Sequence, residues 1–346
     1  MSENHQIKNN IVFIVGRGRS GTTLLAKMLN QHDGLYFPHE GLFIINLVGK
    51  FGKMTFTSDA DYSMFTKNLF LDIRMSRWFR SPDELMNALL SERPLTFSEV
   101  CRCVYRTSAK SIMGKEKLIW IGDKNPHYSL CLPELRAVFP DAKFIVLTRD
   151  FRSNIRSFLS VPFDLDSPYG LAARWVSFNT RLLAFMNQHP AACFHVKMED
   201  LVSNSSDELR KICAFLGVSF DASLLSPKPL PNEEPLDWHG GLHKAVDASK
   251  AEATADVTPE WESFCQAKCS QIAERLGYEI NSNSTSKKSL MAELEYWKGM
   301  HLTWIEKRMD KLPYQVRLYV KNNYLKSRNA FTENELSRSE RHQQEL

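Results

Sequence analysis

A run of apolar, mostly β-branched residues, Ile11-Val12-Phe13-Ile14-Val15, passes directly into Gly16-Arg17-Gly18-Arg19-Ser20-Gly21-Thr22-Thr23 and then into Leu24-Leu25-Ala26-Lys27-Met28-Leu29-Asn30. Such a run suits a strand buried on both faces, as in a parallel sheet. Leu24, Leu25, Met28 and Leu29 fall on one helix face. The glycines therefore stand at a strand-to-helix turn, where backbone N–H groups and the positive end of the helix converge and favour an anion. Gly16 and Gly21 have the spacing of a nucleotide-triphosphate loop, but Thr22 stands where that loop carries its lysine. Arg17 and Arg19 add positive charge. The loop from Arg17 through Gly18, Arg19, Ser20, Gly21, Thr22 and Thr23 is expected to hold phosphate, and the missing lysine argues against a Mg-triphosphate.

The rest of the chain extends the same architecture. Leu35-Tyr36-Phe37 reads as a short strand ended by Pro38, with His39 and Glu40 at its carboxyl end, where ligands bind in open α/β sheets. Residues 41–115 read as a helical insert broken by Ser81-Pro82-Asp83 and Arg93-Pro94-Leu95. Leu118 to Ile121 forms a strand followed by Gly122-Asp123-Lys124-Asn125-Pro126. A helix from about Leu130 to Val138 then leads into the strand Lys143 to Thr148, which gives a βαβ unit. Arg149, Arg152, Arg156 and Ser157 at the next strand-to-helix junction suit a second anion site, with Arg152 and Arg156 read as a solvated helix face. A long helix over Tyr169 to Gln188, with Trp175 in the core, precedes the strand Cys193 to Lys197 and a helix over 206–216 ended by Gly217. Residues 226–256 read as a surface loop, Pro259 to Leu276 as a helix, and Asn281 to Ser286 as a linker.

The expected fold class is α/β, a P-loop-like parallel sheet flanked by helices over residues 10–280, with an appended C-terminal helical segment over 287–346. In that segment Leu290, Leu294, Trp297, His301 and Trp304 line one helix face, and residues 287–328 hold ten Lys/Arg against four Asp/Glu. Packing on its own domain or a homo-oligomer partner suits such a helix, and so does peripheral membrane contact.

Composition narrows the function classes. A net charge of +4 gives no case for nucleic acid. The first ten residues are polar and no run of about 18 apolar residues occurs, so a soluble, cytoplasmic protein is expected. The seven cysteines, Cys101/Cys103 and Cys265/Cys269 among them, lack disulfide-scaffold density, and no His/Cys set has zinc-ligand spacing. Reduced core thiols and no metal are expected.

Three segments together resemble the sulfotransferases that use 3′-phosphoadenosine 5′-phosphosulfate (PAPS), closest to the bacterial and tyrosylprotein branch. They are Gly18-Arg19-Ser20-Gly21-Thr22-Thr23-Leu24, Asp123-Lys124-Asn125-Pro126, and Phe139-Pro140-Asp141-Ala142-Lys143-Phe144-Ile145 running into Arg149-Asp150 and Ser157. Arg174-Trp175, Met198-Glu199-Asp200-Leu201, Phe215-Leu216-Gly217 and Leu276-Gly277-Tyr278 agree further. The resemblance implies that Arg19 to Thr23 hold the 5′-phosphosulfate, that Arg149 and Ser157 bind the 3′-phosphate, that Glu40 is the base and that Lys124, with Arg19, stabilises the leaving phosphate. A base at Glu40 calls for a desolvated carboxylate; His39 is the rival. Gly18 replaces the family's usual proline, and Phe151 stands where Pro or Gly is common. Ser249, near His243, Lys244 and Lys250, is the one later-loop residue assigned to the nucleotide. In-line transfer to a hydroxyl or an amine is implied, and the acceptor stays open among a sugar, a lipid, a peptide and a small metabolite. The alternatives are a P-loop kinase-like nucleotide-binding enzyme and an inactive homologue that binds a membrane or partner.

Overall fold

The structure, a computed structural model, describes residues 9–161, 164–231, 259–280, 289–313, 315–317, 319 and 323. In chain order its elements are β1 (Asn10–Val15), α1 (Thr22–Leu29), β2 (Leu35–Tyr36), α2 (Phe43–Phe51), α3 (Asp59–Phe70), α4 (Pro82–Glu92), α5 (Phe97–Met113), β3 (Trp120–Lys124), α6 (Leu132–Val138), β4 (Lys143–Thr148), α7 (Phe151–Leu159), α8 (Pro168–Gln188), β5 (Cys193–Lys197), α9 (Met198–Ser203), α10 (Ser205–Leu216), α11 (Pro259–Arg275) and α12 (Leu290–Met309). The five strands are parallel in the order β2-β3-β1-β4-β5.

β1 lies in the middle of this order, and its alternation divides the core. Ile11, Phe13 and Val15 join the cluster built with the helical insert, whereas Val12 and Ile14 join the one formed with α1 and α10. A strand covered on both faces needs apolar residues at successive positions. The insert over 41–115 is helical, and capping boxes at Ser58/Asp61 and Thr96/Glu99 start α3 and α5.

Two strand limits differ from the sequence reading. β2 stops at Tyr36 because the Asn30 side chain takes both backbone groups of Phe37, donating to its carbonyl and accepting from its N–H at 2.7 Å each. β3 begins at Trp120, two residues later than expected, and runs on through Gly122-Asp123-Lys124. A carboxylate can lie inside that buried strand because Tyr105 and Tyr128 hydroxyls each donate to Asp123 Oδ2 at 2.6 Å, and the Lys124 N–H donates to Oδ1 at 2.7 Å.

α12 packs along α8, but not through the stripe expected from its sequence. Leu290, Leu294, Trp297 and Trp304 are 77, 55, 64 and 47% exposed, and the buried positions are Ala292, Gly299 and Thr303. The helices cross at Gly299, where a Cβ would come within 2.2 Å of the Gly170 carbonyl oxygen. So close a crossing admits only small side chains at the seam, which turns the large ones outward.

β5 holds a pH-sensitive contact. The ring of His195 meets Thr148 Oγ1 at 2.8 Å, and burial, with Lys197 as a lesser cause, pushes its pKa down to about 4. The unfolded chain therefore takes up a proton near the ordinary value of 6.5 that the native state refuses. The stability at stake is fully present above that value and is lost as pH falls through the window down to about 4, on the order of 3 kcal/mol. Asp123, pushed up to about 6 by burial, works in the opposite sense, because its protonated form is favoured in the native state as pH falls. Urea midpoints measured on both sides of the window should fall less on acidification in His195→Gln than in the parent. An equal fall in both would refute the assignment.

Candidate active site at the carboxyl end of the sheet

The loop between β1 and α1 is shaped by steric exclusion. A Cβ on Gly16 would lie 2.2 Å from the Leu147 carbonyl oxygen, and one on Gly21 would lie 2.2 Å from Met198 Sδ. Gly21 caps α1 with φ at 88°, and Arg19 adopts φ at 62° although it is not glycine. Strain of that kind persists only where neighbours hold it. Here Arg149 Nη1 donates to the Arg19 carbonyl at 3.0 Å, and Arg19 Nε donates to Ser157 Oγ at 3.0 Å. The first turn of α1 has no acidic residue, so its positive end stays uncompensated on its own helix.

Arg19, Arg149 and Ser157, distant in sequence, thus form one connected cluster. Burial lowers the pKa of both guanidiniums, and Arg149 is a further cause for Arg19. Two half-desolvated cations side by side make a field that an anion would relieve.

Arg17 departs from its expected role. Its guanidinium is buried, donates to Asn154 Oδ1 at 2.6 Å, lies 3.6 Å from Asp164 and stacks on the Phe158 ring at 4.2 Å. Desolvation, partly offset by Asp164, pushes its pKa down to about 9. These contacts make it a prop for the loop from behind. Asn154 completes that prop, its Nδ2 donating to the Gly18 carbonyl at 3.0 Å and Ser20 Oγ at 3.2 Å, while the Gly16 N–H donates to Ser129 Oγ at 3.0 Å. The sequence reading passed over Asn154 and Ser129. A polar residue on the inward side of an otherwise apolar helix face was the available signal for Asn154.

Across the loop, Lys124 ends β3 in register with Ile14 of β1. Its buried Nζ donates to Thr23 Oγ1 at 2.9 Å and pairs with the Glu40 carboxylate. Asn125 Nδ2 donates to the Gly41 carbonyl at 2.8 Å, which fixes the backbone beside Glu40. Glu40 itself is 47% exposed, contrary to the desolvated carboxylate expected for a base. His39, the rival, turns to the Pro231 carbonyl at 3.0 Å.

The remaining expected positions fall as follows. Arg152 is not a free helix face: it pairs with Asp150 at 2.9 Å and Glu262 at 3.7 Å. Trp175 is buried and donates to the Arg149 carbonyl at 3.0 Å, which fixes that arginine's backbone. Glu199, raised in pKa mainly by burial, accepts from the Asp150 N–H at 3.0 Å and contributes negative field at Arg149. Ser249, with His243, Lys244 and Lys250, lies outside the described residues.

All seven cysteines are free. One grouping with metal-ligand chemistry does assemble among the described residues, where the sequence spacing gave no sign of it. His127, Cys131 and Asp310 bring their ligand atoms within 4.8 Å of one another. Lys307 Nζ lies 3.7 Å from Cys131 Sγ and Arg317 lies 3.8 Å from Asp310, so two cations already neutralise the group. It acts as a hydrogen-bonded clasp on the end of α12.

Residues 11–222 match the model of a sulfotransferase family. A putative protein-tyrosine sulfotransferase of Caenorhabditis briggsae is 22% identical over 285 residues, covering 79% of this chain and 90% of its own. Protein-tyrosine sulfotransferase 1 of Danio rerio is 26% identical over 253 residues, 71% of this chain, and the match spans 61% of the zebrafish protein. Among solved structures, the sulfotransferase domain of the Synechococcus PCC 7002 olefin synthase superposes with a TM-score of 0.57 at 26% identity, over 79% of this chain and 96% of that one. With the parallel sheet, the lysine-free loop and a family match over more than half its length, the chain belongs to the sulfotransferase family.

Proposed function

We propose that this chain transfers the sulfuryl group of PAPS to an acceptor hydroxyl by in-line displacement, with Glu40 as base. The observation that carries the reading is the position of Lys124 Nζ, between Thr23 of the phosphate loop and Glu40. It stands in for the lysine that the loop lacks, delivered from the neighbouring strand. The two anion grips, Arg19 to Thr23 with Lys124, and Arg149 with Ser157, fit a donor that carries phosphate at both its 5′ and 3′ positions.

Each group then has one task. The loop N–H groups and Arg19 hold the 5′-phosphosulfate. The acceptor oxygen forms its bond to sulfur as the sulfur–oxygen bond to the 5′-phosphate breaks, and Glu40 takes the acceptor proton. Lys124 and Arg19 meet the charge left on that phosphate. Lys124 exchanges Glu40 for the leaving oxygen, which releases the carboxylate for the proton. Docking of the acceptor supplies the desolvation that half-exposed Glu40 lacks.

The relatives are named for protein tyrosine, which ranks a peptide phenol above a sugar, lipid or small metabolite as acceptor. A phenol, with a pKa of about 10, also asks less of a carboxylate base than an alcohol does. Incubation with labelled donor and one acceptor of each class tests this. Transfer to tyrosine peptide is expected, and label on sugar or lipid alone would overturn the acceptor choice. Tight Mg-ATP binding with indifference to 3′,5′-adenosine bisphosphate would replace the reading by a kinase-like one.

Arg149→Ala should weaken calorimetric binding of the adenosine bisphosphate by about 1.5–3 kcal/mol, the loss of one charged hydrogen bond. Unchanged affinity would refute a 3′-phosphate role for Arg149.

A further inference from the structure

α12 separates charge by face. Two of its acidic side chains, and Asp310 at its C-cap, turn onto the domain: Glu293 pairs with Lys268 at 2.8 Å, Glu306 with Arg174 at 2.9 Å and Asp310 with His127 at 2.9 Å. The remaining one, Glu295, lies 3.7 Å from Lys298 of its own helix. The opposite face is apolar and basic. Exposed Lys311 and Leu312 follow just past the helix end, and along the helix Leu294, Trp297 and Trp304 are exposed, interleaved with exposed Lys298 and Arg308. Their spacing of three, four and seven residues makes one stripe. Arg308 stacks on the Trp304 ring at 4.0 Å, and the His301 ring lies 5.4 Å from it.

Most of the large exposed apolar side chains among the described residues lie in this C-terminal piece, including Leu290, Met291, Val316 and Tyr319. An apolar concentration of that kind marks a contact surface. We propose that the stripe docks peripherally on an anionic phospholipid bilayer. Tryptophans and leucines between lysines and arginines suit the boundary of headgroups and acyl chains, with the basic side chains on the phosphates. No helix of the described residues is long and apolar enough to cross a membrane, so the helix lies along the surface. A second copy of the chain is the poorer occupant. A two-fold contact through this stripe would set Lys298, Arg308 and Lys311 against the same residues of the partner.

Co-sedimentation of the full chain with vesicles decides the matter. Binding is expected to phosphatidylcholine mixed with phosphatidylserine but not to phosphatidylcholine alone, with release by salt. The double substitution Trp297→Ser, Trp304→Ser should abolish it, and Lys298→Gln with Arg308→Gln and Lys311→Gln should weaken it ~100-fold. All five side chains are exposed, and an unchanged melting temperature establishes that the variants fold. Absence of binding by the parent, equal binding to neutral vesicles, or full retention in the tryptophan variant would each overturn the proposal. So would a concentration-dependent dimer that the tryptophan variant dissolves, which would assign the stripe to a second copy.

Discussion

Glu40→Gln should lower kcat by ~10³-fold while binding of 3′,5′-adenosine bisphosphate stays within about twofold, since general-base catalysis contributes roughly 10²–10⁴. The amide keeps the size of the side chain but cannot take the acceptor proton. Glu40 pairs with Lys124, whereas Arg149 and Ser157 are held through Arg19, so the isosteric substitution leaves those hydrogen bonds in place. Removing a negative charge beside Lys124 makes the cradle more positive, so any change in nucleotide affinity should be a gain. Stopped assays with saturating labelled donor, paired with calorimetry on the bisphosphate, separate the two quantities. Normal turnover in the variant would end the base assignment. His39→Gln is the companion control: with its ring on the Pro231 carbonyl, it should leave kcat nearly unchanged.

The second large effect is expected at Lys124. Lys124→Met should cost about 10²–10³ in kcat, the scale for one electrostatic contact to charge that develops in the transition state. Lys124 is buried and bridges Thr23 and Glu40, and methionine fills a similar volume without the charge. Removing one partner of an ion pair is costly where it leaves a buried charge behind, but Glu40 is 47% exposed and keeps its hydration when Lys124 loses its charge. The melting temperature should therefore hold while turnover collapses. A parallel loss of both would mark Lys124 as a structural residue, and normal turnover would remove it from the reaction.

The order strand, loop, helix could be read from residues 11–30 because both periodicities are local. Two glycines at the turn and an arginine after the fourth strand, with a serine farther along the next helix, pointed to two candidate anion sites in the same way. Arg17 misled, because a loop arginine looks the same whether it faces a ligand or props the loop from behind. Only the packing of α7, with Asn154 and Phe158, decides between them. Asp123 was passed over for a similar reason. Its partners Tyr105 and Tyr128 come from a helix of the insert and from the turn after β3, and no short window contains all three.

By itself the sequence determined most of the elements and the family, and it supplied the proposal that the loop binds an anion, since these rest on local backbone preference and on motif spacing. The tertiary structure decided which distant groups meet. The strand order β2-β3-β1 sets Lys124 beside the loop and brings Glu40 to it, so a lysine reaches the loop from another strand. The close crossing of Gly299 on Gly170 decided that α12 presents its tryptophans to solvent. Helical periodicity specifies that a stripe exists. Which stripe is buried depends on how near the neighbouring helix comes, and that is a property of the packed pair.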